Sequence, residues 1–524
     1  MNHRRIITNA VANWIGFAAQ LVVAFFMSPI LVHGLGAPRY GIWSLVESIL
    51  AYLMLFDLGV AASVVRYIAR FEANGDQDRL NRIFSTSLCI FAGAGLAVAA
   101  VTVGLASLGA TLVKVPAELV HEARWMLVLL GFNLSLGLPL NVFPSLLDGL
   151  ARYPAKTAIR TAGLIARTGL FLIVIWQKGG LIPLAWSITA CNIVEHVILA
   201  ATCWWYLPRL RFSPALVDRE TFRLIRGYSL QAFLLMIAGR VSYQTNALVI
   251  GAFLAPQYIT YFAVAARLIE YAKNALRAVT TVLTPAVSAF EARGDLPAIR
   301  SVFLTSTRFV LWVILPIQAG FYLLGKPFLS LWMGPEYVGW SYPSLAILAL
   351  PLFLILSQSV SGRVLYGVGR LRWFTVVVTG EAIANLVISL ALVGPLGIEG
   401  VAWGTTIPNI LGNIVVAVHV CGLLNVRLIE YVRCSFLRPI AVTCLLSIGW
   451  WAVPAFLDPG RNWPSLLLVG GIGVAAYGAV ALMMEFGPVT LLRFSQACLQ
   501  KLGNLRSPFR QANQLAECQK SATV

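Results

Sequence analysis

The sequence predicts an all-α polytopic membrane protein of about 14 transmembrane helices, two six-helix lobes related by internal duplication plus a C-terminal helix pair. Three observations carry this. Hydrophobic residues make up 59% of the chain, charged residues 11%, and the mean hydropathy is +0.80, outside the range of soluble globular domains. Apolar stretches of about 20 residues recur, each able to cross a hydrocarbon core roughly 30 Å thick. Finally, Phe71–Asp76 (FEANGD) returns as FEARGD at Phe290–Asp295.

That echo has companions. Ala37-Pro38-Arg39-Tyr40 is matched by Ala255-Pro256-Gln257-Tyr258, and Ile83–Ser87 by Val302–Ser306. Leu147-Asp148-Gly149 with Arg152 is matched by Leu365-Tyr366-Gly367 with Arg370, and Ala185–Thr189 with Asn192 by Ala402–Thr406 with Asn409. All five are collinear at an offset of about 218 residues, the mark of a duplication. The expected units are an N-terminal lobe at 1–207, a C-terminal lobe at 208–425, an extra helix pair at 426–487 and a basic cytoplasmic tail at 488–524. Six is even, so both lobes enter the membrane from the same side.

Charge sets the orientation. Of 39 Lys and Arg, roughly 27 fall in the first segment, the even-numbered loops and the tail, which predicts that both termini are cytoplasmic. The net charge of +18 follows this topology and forms no single basic domain, so no nucleic-acid partner is expected. Arg4 and Arg5 lead straight into the first span, the pattern of an uncleaved signal anchor. Eight cysteines sit singly without a CxxC pair, which predicts neither disulfides nor a metal site. The tail, with Leu491, Leu492, Phe494, Leu499 and Leu502, reads equally as an amphipathic segment on the inner leaflet or as a disordered end.

Catalytic motifs are scarce. The one DxD spacing, Asp76-Gln77-Asp78, lies in a short basic loop and reads as a solvated turn. Gly320 with Gly325-Lys326 has P-loop spacing, but Pro327 stands where a Ser or Thr would hold magnesium. No loop is large enough for an extramembrane domain, so an enzyme is not expected, and no cofactor is implied.

Ionisable residues within spans carry more information, because each is costly unless paired, hydrated or functional. Arg267, Glu270, Lys273 and Arg277 fall within an arc of roughly 120° on the eighth span, with Arg267 and Glu270 bracketing the bilayer midplane. Arg277 reads as a snorkelling residue. One glutamate cannot neutralise both Arg267 and Lys273, so surplus positive charge is expected to face water or an anionic ligand. Arg240 lies near the midplane of the seventh span, with Gln244 on the same face. Arg5, Asn9, Asn13 and Gln20 share one face of the first span, which suits a cavity wall or interhelical hydrogen bonds equally. Glu47 is shallow. Glu195–His196 and Glu381 are mid-depth groups that read either as ion carriers or as buried structural groups.

Leu35–Leu45 (LGAPRYGIWSL), Leu55–Gly59 (LFDLG) with Arg66-Tyr67, Leu147–Gly149 with Arg152-Tyr153, Phe290–Asp295, and Leu331–Gly334 with Tyr337 together resemble the bacterial polysaccharide or O-antigen flippases of the multidrug/oligosaccharidyl-lipid/polysaccharide exporter superfamily. The resemblance covers about Thr8 to Val420. It implies two six-helix lobes forming a V around a central cavity, in the bacterial inner membrane. It also implies translocation of a polyprenyl-(pyro)phosphate-linked oligosaccharide by alternating access, with lipid-linked oligosaccharide and membrane lipids as partners and polysaccharide polymerase or assembly proteins nearby. On that reading Arg267, Lys273 and Arg240 are the candidate cationic cavity groups. Asn9, Asn13, Gln20 and Gln244 are its candidate polar lining, and Glu270 and Glu381 are candidates for a coupling ion. Two alternatives stay open within the superfamily, a multidrug/cation antiporter and a lipid II flippase.

Overall fold

The computed structural model describes residues 3–112, 114–452 and 458–486; side chains are described for these except 3–15, 108–112, 228, 230–232, 234–243, 278–279, 452 and 486. The expected tail at 488–524 and the Arg4–Arg5 anchor side chains lie outside the described residues. The described chain is helical and carries no strand. The order is α1 (His3–Leu53), α2 (Val60–Ala73), α3 (Gln77–Leu112), α4 (Val120–Leu140), α5 (Val142–Gly149), α6 (Tyr153–Trp176) and α7 (Leu181–Tyr206). After a connector come α8 (Arg219–Phe253), α9 (Pro256–Thr280), α10 (Leu283–Ala292), α11 (Leu296–Leu323), α12 (Gly325–Met333), α13 (Pro335–Ala349) and α14 (Leu352–Val368). The chain continues through α15 (Arg372–Leu423), α16 (Leu428–Tyr431), α17 (Leu437–Ala452) and α18 (Trp463–Phe486).

Among the described residues nine helices are long and apolar enough to cross a membrane, ten if α13 and α14, bent by 43°, count as one span. Two of the nine are double-length. α1 (51 residues) is broken at Gly36 (φ 76°) and α15 (52 residues) at Gly397 (φ 58°). At 1.5 Å per residue an unbroken helix of this size would run to about 77 Å, more than twice the hydrocarbon core. α9 also reaches crossing length, but Arg267, Glu270, Lys273 and Arg277 exclude it from the apolar set.

The sequence echoes fold into the same turns. After α2, the amide of Asp76 donates to the Phe71 carbonyl (3.0 Å) and that of Gly75 to Glu72 (3.1 Å), with Gly75 left-handed at φ 67°. After α10, Asp295 donates to Phe290 (3.0 Å) and Gly294 to Glu291 (2.9 Å), with Gly294 at φ 69°. These paired bonds around a left-handed residue close off the last carbonyls of a helix. Each aspartate then starts the next helix, its carboxylate accepting from the amide of Arg79 or of Ala298 (3.0 Å each). FE-x-x-GD is thus a helix stop and a helix start in six residues. The Leu147 and Leu365 echoes do the same, with Arg152 donating to Leu147 (2.8 Å) and Arg370 to Leu365 (3.1 Å). Here the left-handed residue is Gly369 in one copy and Ala151 (φ 54°) in the other.

These turns define two ends of the bundle, one at Ala37–Pro38 and one at Asn74–Asp76. Exposed tryptophans sit near both: Trp125, Trp176 and Trp340 toward the Ala37 end, Trp204, Trp205 and Trp373 toward the Gly75 end, as expected of interfacial belts. At the Ala37 end α1 and α9 meet backbone to backbone. A Cβ on Gly41 would lie 1.9 Å from the Pro256 carbonyl oxygen, and the Thr260 hydroxyl donates to the Ala37 carbonyl. At the Gly75 end Ser63 on α2 bonds the Ser229 hydroxyl (2.8 Å) and the Ile225 carbonyl (3.2 Å) of α8. Asp218 caps α8, accepting from the Thr221 amide (2.7 Å) and hydroxyl (2.6 Å) and from Arg82 (3.4 Å). Desolvation pushes its carboxyl upward, but these donors together hold it below the usual carboxylate range.

The last two helices pack on α11. Glu485 of α18 pairs with Arg308 (2.7 Å) and accepts from the Trp312 indole (2.8 Å), while Tyr477 bonds Thr443 of α17 (3.2 Å).

The two copies of the turn after Leu147 and Leu365 yield a paired test. Gly369→Ala forces a Cβ into the left-handed region, costing about 1 kcal/mol, whereas Ala151→Gly relieves that strain and leaves the unfolding temperature of the detergent-purified protein equal or higher. A lower temperature for Ala151→Gly, or none for Gly369→Ala, would contradict the turn geometry.

Candidate functional site

A cavity of about 650 Å³ lies where α1, α4, α7, α8 and α9 converge, so helices from both copies of the repeat build it. Past Gly36, α1 presents Trp43, Ser44, Glu47, Ser48 and Ala51 to it, a stripe at helical spacing with small residues. Ala263 and Ala266 do the same on α9. The short side chains leave the space open. Asn133 on α4, Asn141 between α4 and α5, Asn192 and His196 on α7, and Gln244 and Asn246 on α8 supply donors and acceptors. Its charged lining residues, among those described, are Glu47, Arg267 and Glu270, apart from the titratable His196.

Arg267 is the centre of this wall. Its Nη2 is 3.0 Å from Glu47 Oε2, an ion pair bridging α9 and α1 across 220 positions of chain. Its guanidinium also lies over the ring of buried Tyr40, 5.7 Å from the centroid, a favourable arrangement for a planar cation. One turn on, Lys273 Nζ is 3.2 Å from Glu270 Oε1. Lys273 is buried behind the cavity while Glu270 lines it. Glu381, on α15, lies within the electrostatic reach of Lys273 and fits against Gly412, where a Cβ would come within 3.0 Å of Oε2.

Geometry therefore sorts the residues chosen from sequence. Arg267, Glu270 and Gln244 line the cavity; Lys273 and Glu381 are not among its lining residues. Gln20 is exposed and outside the lining. The side chains of Asn9, Asn13 and Arg240 lie outside the described residues. The expected positive surplus on α9 meets a second carboxylate: Glu47 answers Arg267, and Glu270 answers Lys273. Sequence depth alone had set Glu47 aside as shallow, and nothing local tied it to a residue 220 positions away. Asn133, Asn141 and Asn246 were missed as well. Their signal was a lone amide in an apolar run, and Asn192 stood openly in an echo with Asn409. Arg167 holds Asn192 from behind (Nη1 to Oδ1, 3.4 Å), and His196 Nδ1 bonds the Asn192 carbonyl (2.7 Å).

Residues 35–341 match the sequence model of a family described as "Polysaccharide biosynthesis protein". The chain belongs to that family. It is 21% identical over 511 residues to the uncharacterized membrane protein EpsK of Bacillus subtilis, covering 91% of this chain and 94% of that protein. It is 20% identical over 310 residues to a Haloferax volcanii protein named "Probable low-salt glycan biosynthesis flippase Agl15", covering 59% and 62% respectively. In three dimensions it is similar to the lipid II flippase MurJ in an inward closed conformation, with a TM-score of 0.71 at 12% identity over 91% of this chain and 99% of that one. The fold is shared with MurJ, and the chain is a multi-pass membrane protein of a polysaccharide biosynthesis family. The motifs quoted from Leu35 onward fall in the matched region.

The ion pair between the two halves is measurable. Glu47→Gln and Arg267→Gln should each lower the unfolding temperature. Combining them should recover part of the loss, with a coupling of about 1 kcal/mol for a pair that faces a hydrated cavity. Additive losses would show that the pair does not form.

Proposed function

We propose that the protein is a flippase that moves a polyprenyl-(pyro)phosphate-linked oligosaccharide across the bacterial inner membrane for O-antigen, capsule or exopolysaccharide synthesis. Fourteen spans carry it out, in lobes at 1–207 and 208–425 and an extra pair at 426–487, with both termini cytoplasmic. The observation that carries this reading is the polar cavity between the two copies of the repeat, with Arg267 at its wall. A glycan head group cannot cross hydrocarbon because its polar groups lose water without gaining partners. The cavity's amides, hydroxyls and charges are replacement partners, and family membership and the flippase name of one relative support the same class.

Arg267 gives the phosphate a binding group suited to its geometry, since a guanidinium meets phosphate oxygens through paired hydrogen bonds. In the unliganded site Glu47 fills that role. Binding would exchange one anionic partner for another, so the guanidinium is never left bare in a low-dielectric wall. Lys273 and Arg240 are the further cationic groups of the proposal, and Glu270 and Glu381 are its coupling acids. The head group crosses by alternating access, the lobes rocking about the cavity. Polymerase or assembly proteins would take up the product.

The presence of Glu47 and Glu270 in the lining favours one second reading, a cation antiporter. Purified protein in proteoliposomes separates the two. A labelled polyprenyl-pyrophosphate oligosaccharide should reach the opposite leaflet only with protein present. Arg267→Glu should abolish this while leaving membrane insertion intact. Gradient-driven uptake of a cationic dye, without lipid exposure, would replace the flippase by the antiporter.

A further inference from the structure

On the reverse face of the same α1 segment lies a second, apolar space of about 380 Å³. Ile42, Leu45 and Ile49 of α1, Leu105 of α3, Leu127 of α4 and Leu248 of α8 are among its walls. Its one charged lining residue, among those described, is Arg124, exposed in the second turn of α4. From Ile42 to Leu53 it follows α1 for about 16 Å, half of the roughly 30 Å hydrocarbon core. Like the polar cavity it is bounded by both halves of the protein, α8 closing it against α1, α3 and α4.

Between the two spaces α1 packs against α8, and one side-chain hydrogen bond crosses that contact. Tyr52 lines the apolar space, and its Oη is 2.6 Å from Thr245 Oγ1. Thr245 stands between Gln244 and Asn246, both of which line the polar cavity. Wall and partition are therefore shared: α1 shows Glu47 and Ser48 to one side, Ile49 and Tyr52 to the other.

We infer that the apolar groove binds the polyprenyl chain of the transported lipid while its head group occupies the cavity, the Tyr52–Thr245 bond parting where the two are joined. This rests on the flippase reading and extends it to a tail site. Juxtaposition is the argument. A molecule that is half sugar phosphate and half hydrocarbon needs two contiguous compartments of opposite polarity, and burying its chain in protein follows the same apolar preference that holds it in lipid. Arg124, at the surface end of the groove, supplies the positive charge an anionic lipid meets as its phosphate leaves the cavity and nears the interface.

The test uses the full-length protein in proteoliposomes and a polyprenyl-pyrophosphate oligosaccharide carrying a diazirine in its chain. Photolabel should fall on the Ile42–Leu53 and Leu248–Ala252 segments. Excess unlabelled lipid-linked oligosaccharide should compete it away, and excess phospholipid should not. Ala123→Phe, which fills the groove, should slow translocation of the long-chain substrate at least tenfold. It should change binding of a short-chain farnesyl analogue with the same head group less than twofold. Label elsewhere, or label displaced equally by phospholipid, overturns the tail site and leaves the flippase standing. Failure of the unsubstituted protein to bind or move any lipid-linked glycan sinks both.

Discussion

A charge inside a membrane must bring its own partner. Much of this structure follows from that requirement. The α9 helix carries four ionisable residues in the middle of a chain that is otherwise apolar, and they can be there because other helices come to them. Glu47 reaches Arg267 from α1, and Glu381 of α15 lies within electrostatic reach of Lys273. The cavity answers the same demand, its amide side chains offering further polar neighbours to the paired charges. Its polarity is thus a condition of folding before it is a device for transport.

The sequence echoes bear on how two distant stretches of chain come to share one cavity. Both copies use the same punctuation, a left-handed residue to stop one helix and an aspartate to begin the next, so helices of similar length emerge at similar places. The copies have diverged where they face each other. Arg267 has no arginine at the matching place in the first copy, and Glu47 has no glutamate in the second. An ion pair between unlike residues on like helices can form only once the two halves differ.

How much was readable beforehand depended on distance along the chain. The FE-x-x-GD echoes were legible because six consecutive residues contain the whole hydrogen-bonding logic of the turn. Helicity and membrane character were legible from composition. The cavity was half legible: Arg267, Glu270 and Gln244 announce themselves as polar residues at depth, and their helical spacing places them on shared faces. Glu47 was discounted, because its depth in its own helix says nothing of what crosses it. The breaks at Gly36 and Gly397 show a further limit. Glycine in an apolar run is equally a packing residue and a reversal, and only φ decides.

The contact at Gly41 has a mechanical consequence. With no side chain between α1 and the Pro256 carbonyl, the two halves touch there through rigid main chain, which can turn but has little room to slide. In the alternating access proposed above, the Ala37 end serves as the fulcrum. A rotation of about 10° about it would displace the opposite end, roughly 30 Å away, by about 5 Å. The hydroxyl bonds of Ser63 at that far end are of the kind that water replaces at little cost. On that proposal the bundle works as a lever, pivoting on main chain at one end and held by side-chain bonds and an ion pair at the other.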